Sequence, residues 1–415
     1  MFFCYAIERG GCEMVKLIPR PQFLENLIKF REVDVIKVVT GVRRCGKSTL
    51  FDLYIEYLKN DGVDESQIIH INLEDVGMEH LHDYKTLHEF LVSRLQKDKM
   101  TYIFIDEVGR CEGFEKAVDS IYIKKNTDVY LTGSNADLLS GEIATLISGR
   151  YVEIKMLPFS FAEFFDASEI KDKNQAFANY LNIGGLPVVA TQLGSNTELS
   201  DQYLEGIYNT IIVKDVVARK GVSDVSLLKN IVKFLCSNVG SSVSTANITD
   251  FINNSGRKIT QKTVDKYVKA LTDSFLFYSV ERYNIKGKNL LKTLGKYYIV
   301  DTGLRNHLLS SSNSDVGHQI ENIVYLELLR RGYRVNIGKI DEREIDFIAT
   351  KQNSKAYYQV SMTALDESVK ERELAPFRKV SDNYPKYLLT LDFITGDYEG
   401  IKQVNLIDWL LSADD

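Results

Sequence analysis

GVRRCGKS, at residues 41–48, fills the pattern G-x-x-x-x-G-K-[ST] and decides how the first part of this chain folds. The run before it, residues 35–39, is short and mostly apolar, as expected of a buried strand. After it, Leu50, Leu53, Tyr54 and Leu58 recur at helical spacing. The sequence therefore predicts a strand, a glycine loop and a helix start in direct succession.

This succession of elements is the arrangement that cradles a polyphosphate. Glycines let backbone N–H groups turn inward, the helix start adds partial positive charge, and Lys47 can reach the β- and γ-phosphates. Ser48 is placed to coordinate Mg²⁺. The alternative is a glycine turn with no ligand. We predict a nucleotide-binding loop made of Gly41, Arg43, Arg44, Cys45, Gly46, Lys47, Ser48 and Thr49.

Two carboxylates follow the continuous apolar run at residues 102–105, which is typical of a central parallel strand covered on both faces. We expect this strand to lie beside the phosphate loop, so that Asp106 at its carboxyl end can hold Mg²⁺. Glu107 can act as the general base for the attacking water. Binding alone would not need that second carboxylate. The pair therefore favours an ATPase, with ATP and Mg²⁺ as cofactors, over a passive nucleotide binder.

Three further polar residues are candidate catalytic groups. A third strand, predicted at residues 129–132, runs into Ser134 and Asn135, whose side chains can orient the attacking water. They can equally cap a helix at residues 136–139, and both roles are compatible. Arg150 is a candidate arginine finger or cis sensor of the γ-phosphate. Its alternative is an ordinary solvated or salt-bridged arginine.

Length and composition are those of a multidomain globular protein. At 415 residues we expect two to four domains, and the hydrophobic content of 44% is ordinary for a globular protein. No apolar run reaches the roughly eighteen residues that a membrane span requires. The five cysteines are scattered without a C-x-x-C pair, which favours a reducing cytoplasm over a disulfide or zinc framework. Residues 1–13 are expected to be a loose extension.

Residues 226–300 are predicted to form three short helices followed by a two-stranded ribbon. In the third helix, Val264, Tyr267, Val268 and Leu271 take the positions of one buried face. Three helices and a ribbon make a winged helix-turn-helix, whose third helix and wing meet a DNA groove and phosphates. The alternative is a winged helix used for protein contacts.

Local charge supports the DNA interpretation. The whole chain has a formal net charge of −6, but residues 255–296 contain ten basic and three acidic side chains. An acidic chain with one basic segment predicts a localised phosphate-binding surface. The candidate DNA contacts are Lys262, Lys266, Lys269, Lys286 and Lys288.

The C-terminal part carries a further pattern. Glu321 lies in a predicted helix, Asp346 in a strand, and Gln359 and Ser361 on one face of the next strand. A helix Glu, a strand Asp and an (E/Q)-x-K strand form the layout of PD-(D/E)XK nucleases, in which two acids hold Mg²⁺ and a lysine stabilises charge. Ser361 stands where that lysine belongs. We therefore expect a degenerate nuclease fold kept for binding or packing.

Taken together, these motifs resemble those of the prokaryotic AAA-like P-loop ATPases that carry a C-terminal domain of unknown function ending in a nuclease-like fold. The resemblance covers nearly everything from Met14 onward. It implies ATP binding and hydrolysis. It also implies that Gln-Val, in place of Glu-x-Lys, is common in the last nuclease strand of the family's members. It rests on TGVRRCGKST at 40–49, FIDE at 104–107, LTGSN at 131–135, SGRY at 148–151, GGLP at 184–187, VDTGLR at 300–305, IEN at 320–322, EIDF at 344–347 and QVS at 359–361.

The predicted architecture is α/β and multidomain. A P-loop core with a parallel sheet (14–158) is followed by a helical lid (159–225), the winged helix-turn-helix (226–305) and an inactive restriction-endonuclease-like domain (306–415). The predicted function is that of an ATPase whose nucleotide state positions the C-terminal half, on DNA. A nucleotide-gated adaptor that binds protein is the first alternative, and an ATP-dependent nuclease is the second. Homo-oligomerisation is a further expectation, and no membrane association is expected.

Overall fold

The computed structural model describes residues 6–7, 15–16, 18–139, 149–194, 196–218, 221–309 and 315–412. The chain divides into two compact units. The first comprises residues 1–156 with 273–275, and the second comprises residues 157–272 and 276–415. Within the described residues, no helix has both the length and the apolar character needed to cross a membrane.

The first unit is built on a five-stranded sheet in which all strands run parallel. A short antiparallel pair, β1 (Ala6–Ile7) and β2 (Val15–Lys16), precedes it in the chain. The sheet strands are β3 (Ile36–Thr40), β4 (Ile68–Asn72), β5 (Thr101–Asp106), β6 (Thr127–Gly133) and β7 (Tyr151–Lys155). The helices are α1 (Pro21–Lys29), α2 (Lys47–Asn60), α3 (Tyr84–Val92) and α4 (Phe114–Tyr122).

The spatial order of these strands is β4-β5-β6-β3-β7. Every residue of β3 and of β5 is buried, as expected for strands covered on both faces. The parallel-sheet P-loop core predicted from the sequence is therefore confirmed. In this order β6 lies between β3 and β5. Since all five strands are parallel, their carboxyl ends still meet at one edge.

The second unit contains a nine-stranded mixed sheet with the order β15-β16-β14-β13-β12-β11-β9-β10-β8. Its strands are β8 (Ser242–Val243), β9 (Phe277–Asn284), β10 (Asn289–Ile299), β11 (Arg334–Ile340), β12 (Arg343–Lys351), β13 (Ser354–Ser361), β14 (Lys386–Thr390), β15 (Gly396–Tyr398) and β16 (Ile401–Asn405). Its helices are α5 (Phe161–Ala167), α6 (Lys173–Ile183), α7 (Thr197–Thr210), α8 (Val225–Ser237), α9 (Thr245–Asn254), α10 (Gln261–Asp273), α11 (Thr302–Leu309), α12 (Val316–Arg330), α13 (Glu367–Leu374) and α14 (Leu406–Leu411).

The segment predicted as three helices and a ribbon contains α8, α9 and α10 followed by the antiparallel pair β9 and β10. The expected apolar face of α10 is buried, with Val264 and Leu271 fully inaccessible to solvent. β9 also pairs in parallel with β11. The ribbon and the C-terminal strands therefore share one sheet that continues across residue 305.

A buried carboxylate organises the GGLP turn of the second unit. Asp301 accepts hydrogen bonds from the backbone N–H groups of Gly185 (2.7 Å) and Leu304 (2.9 Å). Gly184 has a φ of +77°, and a Cβ there would lie 2.3 Å from Asp301 Oδ1. The turn thus needs glycine beside the carboxylate, and the carboxylate needs the turn's N–H groups to replace water.

Replacing Asp301 by Ala is expected to lower the free energy of unfolding of the second unit by about 3 kcal/mol, because two buried N–H groups lose their acceptor. Denaturant unfolding followed by tryptophan fluorescence measures this change, because the chain has one Trp, Trp409 in α14. The control Asp166→Ala removes an exposed carboxylate and should stay near the wild-type value. An unchanged unfolding midpoint and an unchanged dependence on denaturant for Asp301→Ala would contradict the stabilising role assigned to this carboxylate.

Candidate nucleotide site

The phosphate loop connects β3 to α2 at the carboxyl edge of the first sheet. Gly41 has a φ of +153°, and a Cβ there would lie 2.2 Å from the carbonyl oxygen of Met156, so a side chain does not fit. Gly46 has a left-handed conformation at the start of α2, with φ at +103°. Glycine is the residue that adopts this backbone without steric cost. The loop's shape therefore depends on both glycines of the motif.

Lys47 lies across the mouth of this loop and is buried. Its ammonium donates hydrogen bonds to the carbonyl oxygens of Gly41 (3.0 Å) and Val42 (3.2 Å). Its Nζ is also 3.7 Å from Glu107 Oε1. A full positive charge thus lies beside the N-terminus of α2, where a polyphosphate would be stabilised by both.

Oxygen ligands of the kind that Mg²⁺ prefers are in contact at the same edge. The hydroxyl of Ser48 donates to Asp106 Oδ2, and the hydroxyl of Thr132 donates to Asp106 Oδ1. Ser48 is exposed, whereas Asp106 is buried. The set fits a hard divalent cation, with Ser48 and Asp106 as its ligands and Thr132 orienting the carboxylate.

Glu107 is fixed in an unusual backbone conformation directly after β5. Its φ is +51°, in the left-handed region that residues other than glycine rarely adopt. Its N–H donates to Thr132 Oγ1 (2.8 Å), and its Oε2 accepts from Ser134 Oγ (3.1 Å). Strained residues cluster at functional sites when their surroundings hold them in place. Here Thr132 of β6 and Ser134, directly after that strand, supply the two restraints.

The two sensor candidates, Ser134 and Asn135, are both buried but make different contacts. Ser134 faces Glu107, as the catalytic prediction requires. The carbonyl of Asn135 accepts from the N–H of Leu138 (3.3 Å), at the start of a 3₁₀ turn over Ala136–Leu139. The contact with Glu107 and the start of the turn thus fall on neighbouring residues.

Arg43 of the predicted loop has a carboxylate partner. Arg43 Nη1 lies 3.0 Å from Glu74 Oε1, and Arg110 Nη2 lies 3.3 Å from the same oxygen. Burial works to raise the pKa of Glu74, but the two guanidinium groups outweigh it and the pKa is lowered. Glu74 therefore carries a charge that anchors the loop to the end of β4. Sequence reasoning did not single it out.

Cys45 points beneath the loop. Its Sγ is 3.7 Å from the carbonyl oxygen of Met156, and burial raises the pKa of its thiol. A buried thiol of raised pKa is a poor nucleophile. Arg44 is exposed with a φ of +64°, and Thr49 is half-buried in the first turn of α2.

The prediction that Arg150 senses the γ-phosphate of its own chain was wrong. Arg150 precedes β7, in which Tyr151 pairs with Ile36 and Lys155 pairs with Thr40. It therefore lies at the amino edge of the sheet, about 15 Å from the edge that carries the phosphate loop. Its guanidinium forms an ion pair with Asp119 of α4. A role in trans, at a neighbouring chain's site, stays a prediction.

In the second unit, three of the four nuclease-motif residues come together. Asp346 N–H donates to Gln359 Oε1 (3.2 Å), and the ammonium of Lys296 lies between Glu321 and Asp346. Ser361 does not join them, because its hydroxyl donates to the carbonyl of Thr363 (2.9 Å).

Fewer lysines of the basic segment, residues 255–296, are available to contact DNA phosphates than the sequence indicates. Lys262, Lys266 and Lys269 are exposed on α10, and Lys288 is exposed in the β9–β10 turn. Lys286, also exposed, forms an ion pair with Asp341 at 2.6 Å. Lys296, one of the ten basic residues counted in this segment, is buried. The side chain of Lys292 lies outside the part of the chain that the structure describes.

Known proteins place the fold and site in a class. A family model described as an AAA domain matches residues 34–165, and a model of a domain of unknown function (DUF8612) matches residues 174–315. A Walker-type ATPase of Pyrococcus abyssi is similar in structure, with a TM-score of 0.51, 14% identity, and coverage of 70% of this chain and 96% of that chain. The fold is thus that of an AAA-type P-loop ATPase.

Two curated relatives extend over nearly the whole chain. An uncharacterized protein of Haemophilus influenzae is 37% identical across 95% of this chain and 99% of its own length. An uncharacterized protein of Methanocaldococcus jannaschii is 29% identical across 90% of this chain and 85% of its own length. The chain belongs to the family of AAA-domain proteins that the Haemophilus relative represents.

Proposed function

We propose that this chain is a Mg²⁺-dependent ATP hydrolase. The observation that carries the proposal is the convergence of Lys47, Ser48, Asp106 and Glu107 at one edge of the parallel sheet, with Thr132 and Ser134 holding the two carboxylates. The family's AAA domain favours ATP as the nucleotide. Each of these groups has a separate task in phosphoryl transfer to water.

Lys47 and the loop N–H groups bind the phosphates. The ammonium of Lys47 donates to the carbonyls of residues 41 and 42. On binding, its ammonium exchanges these neutral acceptors for charged phosphate oxygens, which form stronger hydrogen bonds. The lysine is therefore already held at the place where the charge of the substrate will be greatest.

Ser48 and Asp106 would hold Mg²⁺. When bound, the cation neutralises charge on the phosphate oxygens. Asp106 keeps its orientation through Thr132, so the carboxylate does not need to reorganise as the substrate enters. Ser48 is exposed and can exchange its bond to Asp106 for a metal contact.

Glu107 would take the proton of the attacking water. Ser134 holds one carboxylate oxygen at 3.1 Å, and the other oxygen stays within 3.7 Å of the Lys47 ammonium. The base is thus oriented by β6 and lies next to the phosphate-binding cation. Asn135 would help to orient the water, and Arg150 would act only from a neighbouring chain.

We further propose that ATP binding and hydrolysis control the C-terminal half of the chain. Nucleotide state would set the helical segment 159–225 and so position a winged helix-turn-helix and an inactive nuclease-like end, with DNA as the partner. The outward lysines of α10 support DNA. The pairing of Lys286 with Asp341 and the burial of Lys296 favour the alternative of a nucleotide-gated adaptor that binds protein.

Phosphate release by the full-length chain tests the ATPase proposal. With ATP and Mg²⁺ we expect multiple turnovers, and with EDTA in place of Mg²⁺ we expect none above buffer. Release that persists in EDTA, or that is absent at every Mg²⁺ concentration with ATP bound, would overturn a Mg²⁺-dependent hydrolase.

DNA binding has its own test. The triple variant Lys262→Gln, Lys266→Gln and Lys269→Gln is expected to bind duplex DNA about tenfold more weakly at 50 mM salt. Its salt dependence should be shallower, because fewer counterions are released. The matched control replaces the exposed Lys97, Lys99 and Lys125 of the first unit by Gln. Equal affinities for both triple variants, measured by fluorescence anisotropy, would favour the adaptor.

A further inference from the structure

A buried lysine joins three carboxylates in the second unit. Lys296 Nζ, on β10, lies 2.9 Å from Glu321 Oε1 on α12. It also lies 2.9 Å from Glu344 Oε1 and 3.6 Å from Asp346 Oδ1, both on β12. We call Glu321, Glu344 and Asp346 the carboxylate cluster. Two of its members, Glu321 and Asp346, are the acids of the nuclease-like motif.

The cluster is closely packed and its acceptors are in use. Glu321 Oε1 accepts from the Tyr298 hydroxyl (2.7 Å) as well as from Lys296. Asp346 Oδ2 accepts from the N–H of Val360 (2.9 Å). A Cβ at Gly240 would lie 3.2 Å from Glu321 Oε2, so backbone closes over that oxygen. The two motif acids therefore point at the lysine and at protein donors.

Electrostatics keep this lysine charged. Burial alone would lower the pKa of Lys296, but Glu321, Asp346 and Glu344 together outweigh burial and raise it. Burial and the neighbouring Glu321 raise the pKa of Asp346 to about 8, although Lys296 works in the opposite direction. A second cation lies at the edge of the cluster, since Arg282 Nε is 3.8 Å from Glu344 Oε2.

We propose that the ammonium of Lys296 takes the place of the catalytic divalent cation, so that the nuclease-like part of this chain is locked in a metal-free state. Mg²⁺ would need both acids at about 2.1 Å. Nζ already lies between those acids, and a metal cannot share that position with an ammonium group. This inference stands on the contacts of the second unit and does not depend on ATP hydrolysis.

Lys296 does not supply the lysine that is missing at position 361. A lysine that stabilises a scissile phosphate must turn an N–H group towards it. The ammonium of Lys296 has carboxylate oxygens of Glu321 and Glu344 at 2.9 Å and one of Asp346 at 3.6 Å, and its side chain is only 6% exposed. The ammonium is thus engaged by the carboxylate cluster and does not face a scissile phosphate. Ser361, at the position of the motif lysine, carries no charge that could stabilise that phosphate.

Titration with Mn²⁺ tests the proposal on the nucleotide-free full chain. Every protein in the test carries Asp106→Asn, which removes the carboxylate of the nucleotide site. We expect no Mn²⁺ binding up to 1 mM that depends on Asp346. Lys296→Met should gain one site with an affinity at least tenfold higher, and Lys296→Met with Asp346→Asn should lose it again.

Two results would overturn the proposal. One is Mn²⁺ binding by the chain with Lys296 intact that Asp346→Asn abolishes. The other is a folded Lys296→Met chain that gains no site. Thermal melting provides the companion measurement: Mn²⁺ should raise the melting temperature of Lys296→Met by several degrees and leave that of the parent unchanged. If Lys296→Met does not fold, two chains that keep Lys296 are compared, one with Asp346 and one with Asp346→Asn. Their titrations show whether Mn²⁺ binds at Asp346 while Lys296 is present.

Discussion

Glu107→Gln is expected to lower ATP turnover by about 10³-fold, the contribution typical of a positioned general base. Gln has the same shape and can still accept the hydrogen bond from Ser134, so the change removes the base without opening a cavity. ATP affinity should remain within about threefold, because the groups proposed to bind the phosphates, Lys47 and the loop, are retained.

Steady-state phosphate release measures this turnover, and equilibrium binding of ATP measures the affinity. The matched control is Glu112→Gln, which removes a nearby exposed carboxylate and should turn over at the wild-type rate. Turnover of Glu107→Gln within threefold of wild type would remove Glu107 from the role of base. A parallel loss of ATP binding would mean that the substitution damaged the site.

Lys47→Ala is expected to weaken ATP binding by about 100-fold, which corresponds to about 2.7 kcal/mol. The loss follows from removing hydrogen bonds between an ammonium and phosphate oxygens, each worth about 1.5–3 kcal/mol. Turnover should fall with it, since the same charge stabilises the γ-phosphate during transfer. Of the substitutions considered at this site, it should have the largest effect on affinity.

Isothermal titration with a non-hydrolysable ATP analogue and Mg²⁺ measures the affinity. Lys59→Ala is the control on the same helix, because Lys59 is exposed and pairs with Glu65 at 2.9 Å. Equal affinities for the two variants would contradict the placement of the polyphosphate in this loop.

Local patterns in the sequence predicted much of the first unit. Strands β3, β5 and β6 and helix α2 lie where apolar runs and helical spacing placed them, because strands of a covered parallel sheet are apolar on both faces. The residues of the phosphate loop are contiguous, so their joint position follows from one motif. Asp106 and Glu107 were predictable since the carboxyl ends of parallel strands meet at one edge.

Strand order was not predictable in the same way, because it is decided by contacts between distant segments. For that reason the sequence could not place Arg150 at the amino edge of the sheet, and it left open a role for that residue in its own site. Thr132 was missed as well. Its hydroxyl contacts both Asp106 and Glu107, but a threonine inside a strand has no distinguishing pattern.

Lys296 shows how a local charge count can mislead. It is one of the ten basic side chains in residues 255–296, but it is buried, whereas the candidate DNA contacts are exposed. Residues two apart on a strand share a face, so Lys296 and Tyr298 point the same way, and both contact Glu321. The neighbouring aromatic residues at 297 and 298 were the signal that this part of the strand is buried.

The nucleotide that remains bound to Glu107→Gln tests directly whether ATP is hydrolysed at this site. The variant and the wild type are incubated with ATP and Mg²⁺, free nucleotide is removed rapidly, and the bound nucleotide is identified by chromatography. We expect intact ATP on the variant and ADP on the wild type, because only the wild type can activate water. Wild-type proportions of ADP on Glu107→Gln would contradict hydrolysis at this site by the mechanism proposed.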